Sequence, residues 1–260
     1  MFPIRDDNPQ LRIPIATYAI IAVNVAVWVF VQGLGSNPAL VESICQLGLI
    51  PGELLGTVPA GTQFPLGPGA VCRLGGGGTW YTLFSSMFMH GGWMHIIGNL
   101  WFLWIFGGNV EDSMGPVRFV VFYLLCGVAA AAAQVMTNTE SIVPMVGASG
   151  AIGGVMGAYI LLYPRVHVHM LFIFGFYITT FAIPAVFMLG YWFLVQVLSG
   201  VASLGASGGG VAFWAHVGGF VAGGLLVLFF KDRRLLDRHP YHGFRQRRSP
   251  TRSWHRIDRR

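Results

Sequence analysis

Four polar residues stand in segments that are otherwise apolar: His95, Asn99, Ser149 and His216. His95 and Asn99 are four residues apart in the run HGGWMHIIGN, so on a helix both project from one face. Ser149 follows two small neighbours in GASG, and His216 lies about one helical turn into the apolar run that opens with WAHVGG. A serine hydroxyl is a poor nucleophile at its own pKa and needs an adjacent base, which His216 can supply. Attack on a carbonyl creates an oxyanion that needs hydrogen-bond donors. His95, the Asn99 amide and the backbone N–H of Ser149 are the candidates for that role. The chemistry these residue types allow is acyl transfer.

A third member of the constellation is not expected. Glu111 and Asp112 lie 12 and 13 residues past Asn99, roughly 18 Å further along a helix. Glu140 falls in a loop, and nothing in the sequence brings it to the serine. The reading is therefore a Ser149–His216 dyad. His90 and His95 are five apart and do not share a helix face, and the run HExxH is absent, so neither a metal nor another cofactor is expected. His167, His169 and the histidines of the tail read as solvated or interfacial. Residues 205–209 (GASGG) satisfy the pattern GxSxG, whereas 147–151 (GASGA) do not. That pattern has meaning only on a strand-to-helix elbow, and Ser207 sits in a Gly-rich stretch between two apolar runs. Ser149 is the expected nucleophile.

The elements that must hold these residues are set by composition. Of 260 residues, 54% are hydrophobic and only 10% are charged, and the mean hydropathy is +0.62. Soluble domains carry about 25% charged residues, so an ordinary soluble globule is excluded, and the apolar content excludes disorder. The 36 glycines follow no G-X-Y period, which excludes collagen. Frequent small residues suit helices packed closely in lipid. Apolar runs cover 13–31, 91–107, 117–136, 149–163, 181–199 and 212–230. They predict an all-α membrane protein of six transmembrane helices, since each approaches the length needed to cross a hydrocarbon core of roughly 30 Å. Residues 34–79 read as a long exterior loop, 108–116 as a loop on the other side, and 166–180 as an interfacial connection.

The charges test that count. Arg5, Arg12, Arg118, Arg165 and the 11 Lys/Arg of residues 231–260 fall on one side, and Arg73 alone on the other. Such asymmetry places both termini in the cytoplasm. The chain then divides into a cytoplasmic segment 1–12, a membrane domain 13–230 and a basic cytoplasmic tail 231–260. The tail reads as an anchor near anionic lipid, with no nucleic-acid partner expected. The second, fourth and sixth spans all begin on the exterior side, which sets His95, Asn99, Ser149 and His216 at similar depth. Ser149, Gly153 and Gly157 repeat every four residues, as do Gly219 and Gly223 beyond His216. Two such small faces can approach closely. Cys126 lies within a span. Cys45 and Cys72 share the exterior loop, where an oxidising compartment would permit a disulfide, although spacing does not show that the sulfurs meet.

In HGGWMHIIGN (90–99), VGASGAI (146–152) and AHVGGFVAG (215–223) the sequence resembles the rhomboid family of intramembrane serine proteases of bacterial type. The resemblance runs through most of residues 1–230, with the three motifs in order on three spans. It implies a six-helix core, Ser149 as nucleophile, His216 as general base, His95 and Asn99 in the oxyanion hole, and cleavage of transmembrane protein substrates near their exterior ends. It also implies a multi-pass protein of the bacterial cell membrane. Two other readings compete. A binding scaffold without turnover would use the same cavity, and a channel or transporter would spread its polar residues through the bilayer or repeat its halves.

Overall fold

In the computed structural model, residues 2–67, 69–204 and 210–242 are described. Strand β1 (Phe2–Asp6) leads into α1 (Ile15–Phe30), and a 3-10 turn over Gly33–Gly35 precedes two short helices, α2 (Ala39–Leu47) and α3 (Pro51–Leu54). Strands β2 (Gln63–Pro65) and β3 (Val71–Arg73) follow, then α4 (Thr82–Ser85), α5 (Trp93–Met114), α6 (Pro116–Thr137) and α7 (Ser149–Leu162). Strands β4 (His167–Phe174) and β5 (Tyr177–Pro184) separate α7 from α8 (Ala185–Ala202), α9 (Phe213–Phe230) and α10 (Arg233–Arg238). The chain is mostly helical. Among the described residues α6, α8 and α9 are long and apolar enough to cross a membrane, while α1 and α7 are apolar but shorter.

Helix α7 forms the centre. It buries every residue from Gly150 to Tyr159 and packs against α5, α6, α8 and α9. A helix so enclosed meets protein rather than solvent or lipid from Gly150 to Tyr159. Its approach to α9 depends on glycine. A Cβ at Gly219 would fall on the carbonyl oxygen of Gly150, one at Gly223 on that of Gly154, and one at Gly157 on that of Phe220. The small faces expected from the sequence do meet, and Gly150 and Gly154 add to the α7 side.

Three expectations need correction. The chain is not all-α: β1, β4 and β5 form an antiparallel sheet in that order, with Phe2 opposite Leu171 and His167 opposite Pro184. The stretch read as an interfacial connection is thus a hairpin, turning at Gly175 with φ +57. A continuous apolar run is equally compatible with strand and helix, so periodicity did not separate them. Second, there is no loop over 108–116. Helix α5 continues to Met114, and Gly115 (φ 85) followed by Pro116 at the first position of α6 turns the chain. Hydropathy ends a span at acidic residues, but these acids are paired. Glu111 accepts from the backbone N–H groups of Ala16 (3.0 Å) and Thr17 (2.8 Å) and so caps α1 from across the bundle. Asp112 accepts from Leu11 N–H at 2.7 Å and pairs with Arg12 at 3.2 Å. Third, the segment 34–79 is structured. It contains α2, α3 and the β2–β3 hairpin, and Cys45 and Cys72 are joined by a disulfide with their Cα atoms 5.6 Å apart.

Candidate active site

The four polar residues reach one place by separate routes. Ser149 opens α7, where first-turn N–H groups have no intrahelical acceptor. His216 lies in the first turn of α9, whose start is held by Gln134 of α6 accepting from the Ala215 N–H at 3.2 Å. His95 and Asn99 sit one turn apart near the start of α5. The chain before α5 is fixed by Gln32, whose amide bonds both the N–H and the carbonyl of His90 at 2.8 Å. All four line a cavity of about 610 Å³ that also touches Trp192 and Met156.

Within it, His216 Nε2 lies 2.8 Å from Ser149 Oγ. That is hydrogen-bond contact between a hydroxyl and a possible base. Across the cavity, the Gly91 N–H donates to His95 Nδ1 at 3.2 Å. With Nδ1 accepting, the proton of neutral His95 resides on Nε2, the nitrogen that faces Gly147. The point a Cβ on Gly147 would occupy is 2.7 Å from that nitrogen and 3.4 Å from Ser149 Oγ. Gly147, at φ +131, therefore keeps open the gap between hydroxyl and donor. Asn99 is buried and its Nδ2 has no hydrogen-bond partner. A donor with no protein partner beside this cavity is available to an acceptor that enters it.

Sequence reasoning missed two participants. Gln196 of α8 lies 2.7 Å through its Oε1 from His216 Nδ1. The Trp192 ring packs on His216 with centroids 5.8 Å apart. The signal for Gln196 was present: it is the sole amide in α8, and polar groups within apolar helices tend to mark function. Ser207, the rival serine, lies outside the described residues.

The sequence model of the Rhomboid domain matches residues 77–233, which takes in all four cavity residues. The chain belongs to the rhomboid family. Rhomboid relatives recur across kingdoms. RHOMBOID-like protein 1 of Arabidopsis thaliana is 28% identical over 65% of this chain and 38% of its own length. Rhomboid protease GluP of Bacillus subtilis is 32% identical over 54% of this chain and 27% of its own. Rhomboid-like protein 11, chloroplastic, of Arabidopsis is 36% identical over 32% of this chain and 29% of its own. The chain thus spans less than two fifths of the length of each of these relatives. The rhomboid domain and the apolar helices together make this an integral membrane protein.

Proposed function

We propose that this rhomboid protein is an intramembrane serine endopeptidase that cleaves transmembrane protein substrates near the exterior face of the bilayer. The observation that supports this most directly is the 2.8 Å contact between Ser149 Oγ and His216 Nε2 inside a cavity that also holds two side-chain donors. The name of the Bacillus relative, a rhomboid protease, points the same way.

In this reading Ser149 Oγ attacks a substrate carbonyl carbon while His216 Nε2 takes its proton. The resulting oxyanion accepts from His95 Nε2–H, the Asn99 amide and the Ser149 backbone N–H. Collapse breaks the C–N bond, His216 returns the proton to the leaving amine, and an acyl-enzyme remains on Ser149. A water molecule, deprotonated by His216, then releases the second product. A peptide bond in a regular helix is shielded, so substrates with small or helix-breaking residues near the cut are preferred. We further propose that α1 and α5–α9 are the six spans of a membrane domain over 13–230, that segment 1–12 and tail 231–260 face the cytoplasm, and that the protein resides in a bacterial cell membrane.

The test is a fluorophosphonate probe applied to the purified protein in mild detergent, with the adduct mapped by mass spectrometry. Label on Ser149 that vanishes in His216→Ala is the expected result. Label on Ser207 would move the nucleophile to the 205–209 stretch. No label on a folded sample would favour a binding scaffold.

A further inference from the structure

A serine–histidine pair works only in one tautomer. His216 must present a bare Nε2 to the hydroxyl, so Nδ1 must hold the proton, and some group has to favour that arrangement. The groups around His216 narrow the choice. Helix α7 presents Ser149 to Nε2, α6 presents Gln134 to the backbone of Ala215, α5 presents His95 across the cavity, and α8 presents Trp192 and Gln196. No Asp or Glu lines the cavity among the described residues. Nδ1 has a buried partner in Gln196 Oε1, 2.7 Å away.

We infer that Gln196 is the positioning residue for His216, a neutral third member that fixes its tautomer through the Nδ1–H···Oε1 hydrogen bond. This rests on the Ser149–His216 reading above. An amide oxygen can only accept, so it holds the proton on Nδ1 and leaves the Nε2 lone pair facing Ser149. Turned end for end, the amide would donate to Nδ1, force the proton onto Nε2 and leave the serine without a base. Because the oxygen is neutral, it orients the ring and selects its tautomer but balances an imidazolium charge less than a carboxylate would. Gln196 also ties the state of His216 to the seating of α8, a helix in which only Ala185, Met188, Leu189, Gln196 and Gly200 are buried.

The test uses the full chain in mild detergent with Gln196→Leu and Gln196→Glu. The rate of Ser149 acylation by a fluorophosphonate is followed against probe concentration from acid to alkaline pH. Gln196→Leu is expected to lower the saturating rate about 10- to 100-fold while leaving the half-saturating concentration unchanged. Gln196→Glu is expected to recover most of that rate and to move the acidic limb of the profile to higher pH, because a carboxylate holds a proton on His216 more firmly. Nitrogen-15 shifts of labelled histidine supply a readout that needs no working nucleophile: Nδ1–H in the wild type, shifting toward Nε2–H in Gln196→Leu. Equal rates in wild type and Gln196→Leu, or an acidic limb that Gln196→Glu leaves in place, would overturn the inference, as would Nε2–H in the wild type. A wild type never acylated but showing the Nδ1–H form, lost in Gln196→Leu, would refute the protease reading and uphold the positioning role.

Discussion

Asn99 and Asp6 each predict an effect of definite sign. The Asn99 Nδ2 makes no hydrogen bond to another protein group, so Asn99→Ala removes a donor from the oxyanion and no protein partner from the resting state. The thermal midpoint is expected to stay level, while the saturating rate of peptide cleavage falls on the order of 10²-fold. A fall in both would make the residue structural. Asp6 on β1 accepts from Tyr159 Oη and, at 3.0 Å, from Asn109. Burial nevertheless pushes its carboxyl up to about 6, with those hydrogen bonds opposing the rise. A raised acid gives its full contribution to stability below its ordinary value of 3.8 and loses it as pH climbs through about 6. Asp6→Asn keeps an oxygen for Tyr159 and cannot ionise, so the decline of the unfolding midpoint between those two values should disappear. A slope unchanged in the variant would assign it to other groups. At this scale the sequence was informative where partners share a helix, as His95 and Asn99 do. Across helices it paired Ser149 with His216 through their chemistry, but it did not single out Gln196, whose partner on α9 no spacing rule indicates.

Between elements, the contact of α7 with α9 allows a sharper comparison. Gly219→Ala sets a methyl group against the carbonyl oxygen of Gly150, a backbone atom that cannot move without shifting α7 and Ser149 with it. Destabilisation of about 1–3 kcal/mol is expected, together with slower acylation of Ser149. Gly190→Ala on α8 meets nothing within 4 Å and should be neutral or stabilising by about 0.5–1 kcal/mol, the usual gain on replacing a helical glycine. Paired unfolding midpoints and labelling rates decide the matter, and equal effects at the two positions would remove the special role of the α7–α9 contact. This packing was legible because small residues at a four-residue period have few other uses in apolar helices. The β4–β5 hairpin was not legible, since only the short His-Val-His-Met stretch alternates and the continuous apolar run from Leu171 to Phe174 fits strand and helix alike. The end of α5 was hidden for a different reason. Glu111 and Asp112 look like a span boundary until their partners are in view: the first-turn N–H groups of α1 for Glu111, and the Leu11 N–H and Arg12 for Asp112.

Across the whole molecule, two independent features separate to opposite ends and must agree on orientation. The pairs Arg12–Asp112 and Arg118–Asp232 tie the start of α1, the end of α5, the start of α6 and the end of α9 at one end, beside the sheet that holds Arg5. The Leu49–Met145 bridge, the bond from Gly52 N–H to the Ser141 carbonyl and the Cys45–Cys72 disulfide belong to the segments joining the other ends of these helices. Cations are retained on the cytoplasmic side, and disulfides persist where the medium is oxidising. In the proposed orientation the two rules agree, with the cystine end outside, on the side of the proposed cleavage. A membrane-impermeant reductant applied to sealed right-side-out membranes should therefore open Cys45–Cys72, and a reporter fused after Arg260 should be active only if it works in the cytoplasm. The disulfide links residues 27 apart in sequence, for which chain entropy gives about 3.5 kcal/mol, so reduction should also lower the unfolding midpoint of the purified protein. If reduction required inside-out membranes instead, the orientation would be inverted. The cavity of Ser149 would then open to the cytoplasm, because its position relative to the disulfide is fixed by the Gly147 N–H to Ser86 carbonyl bond and the bridge at Met145.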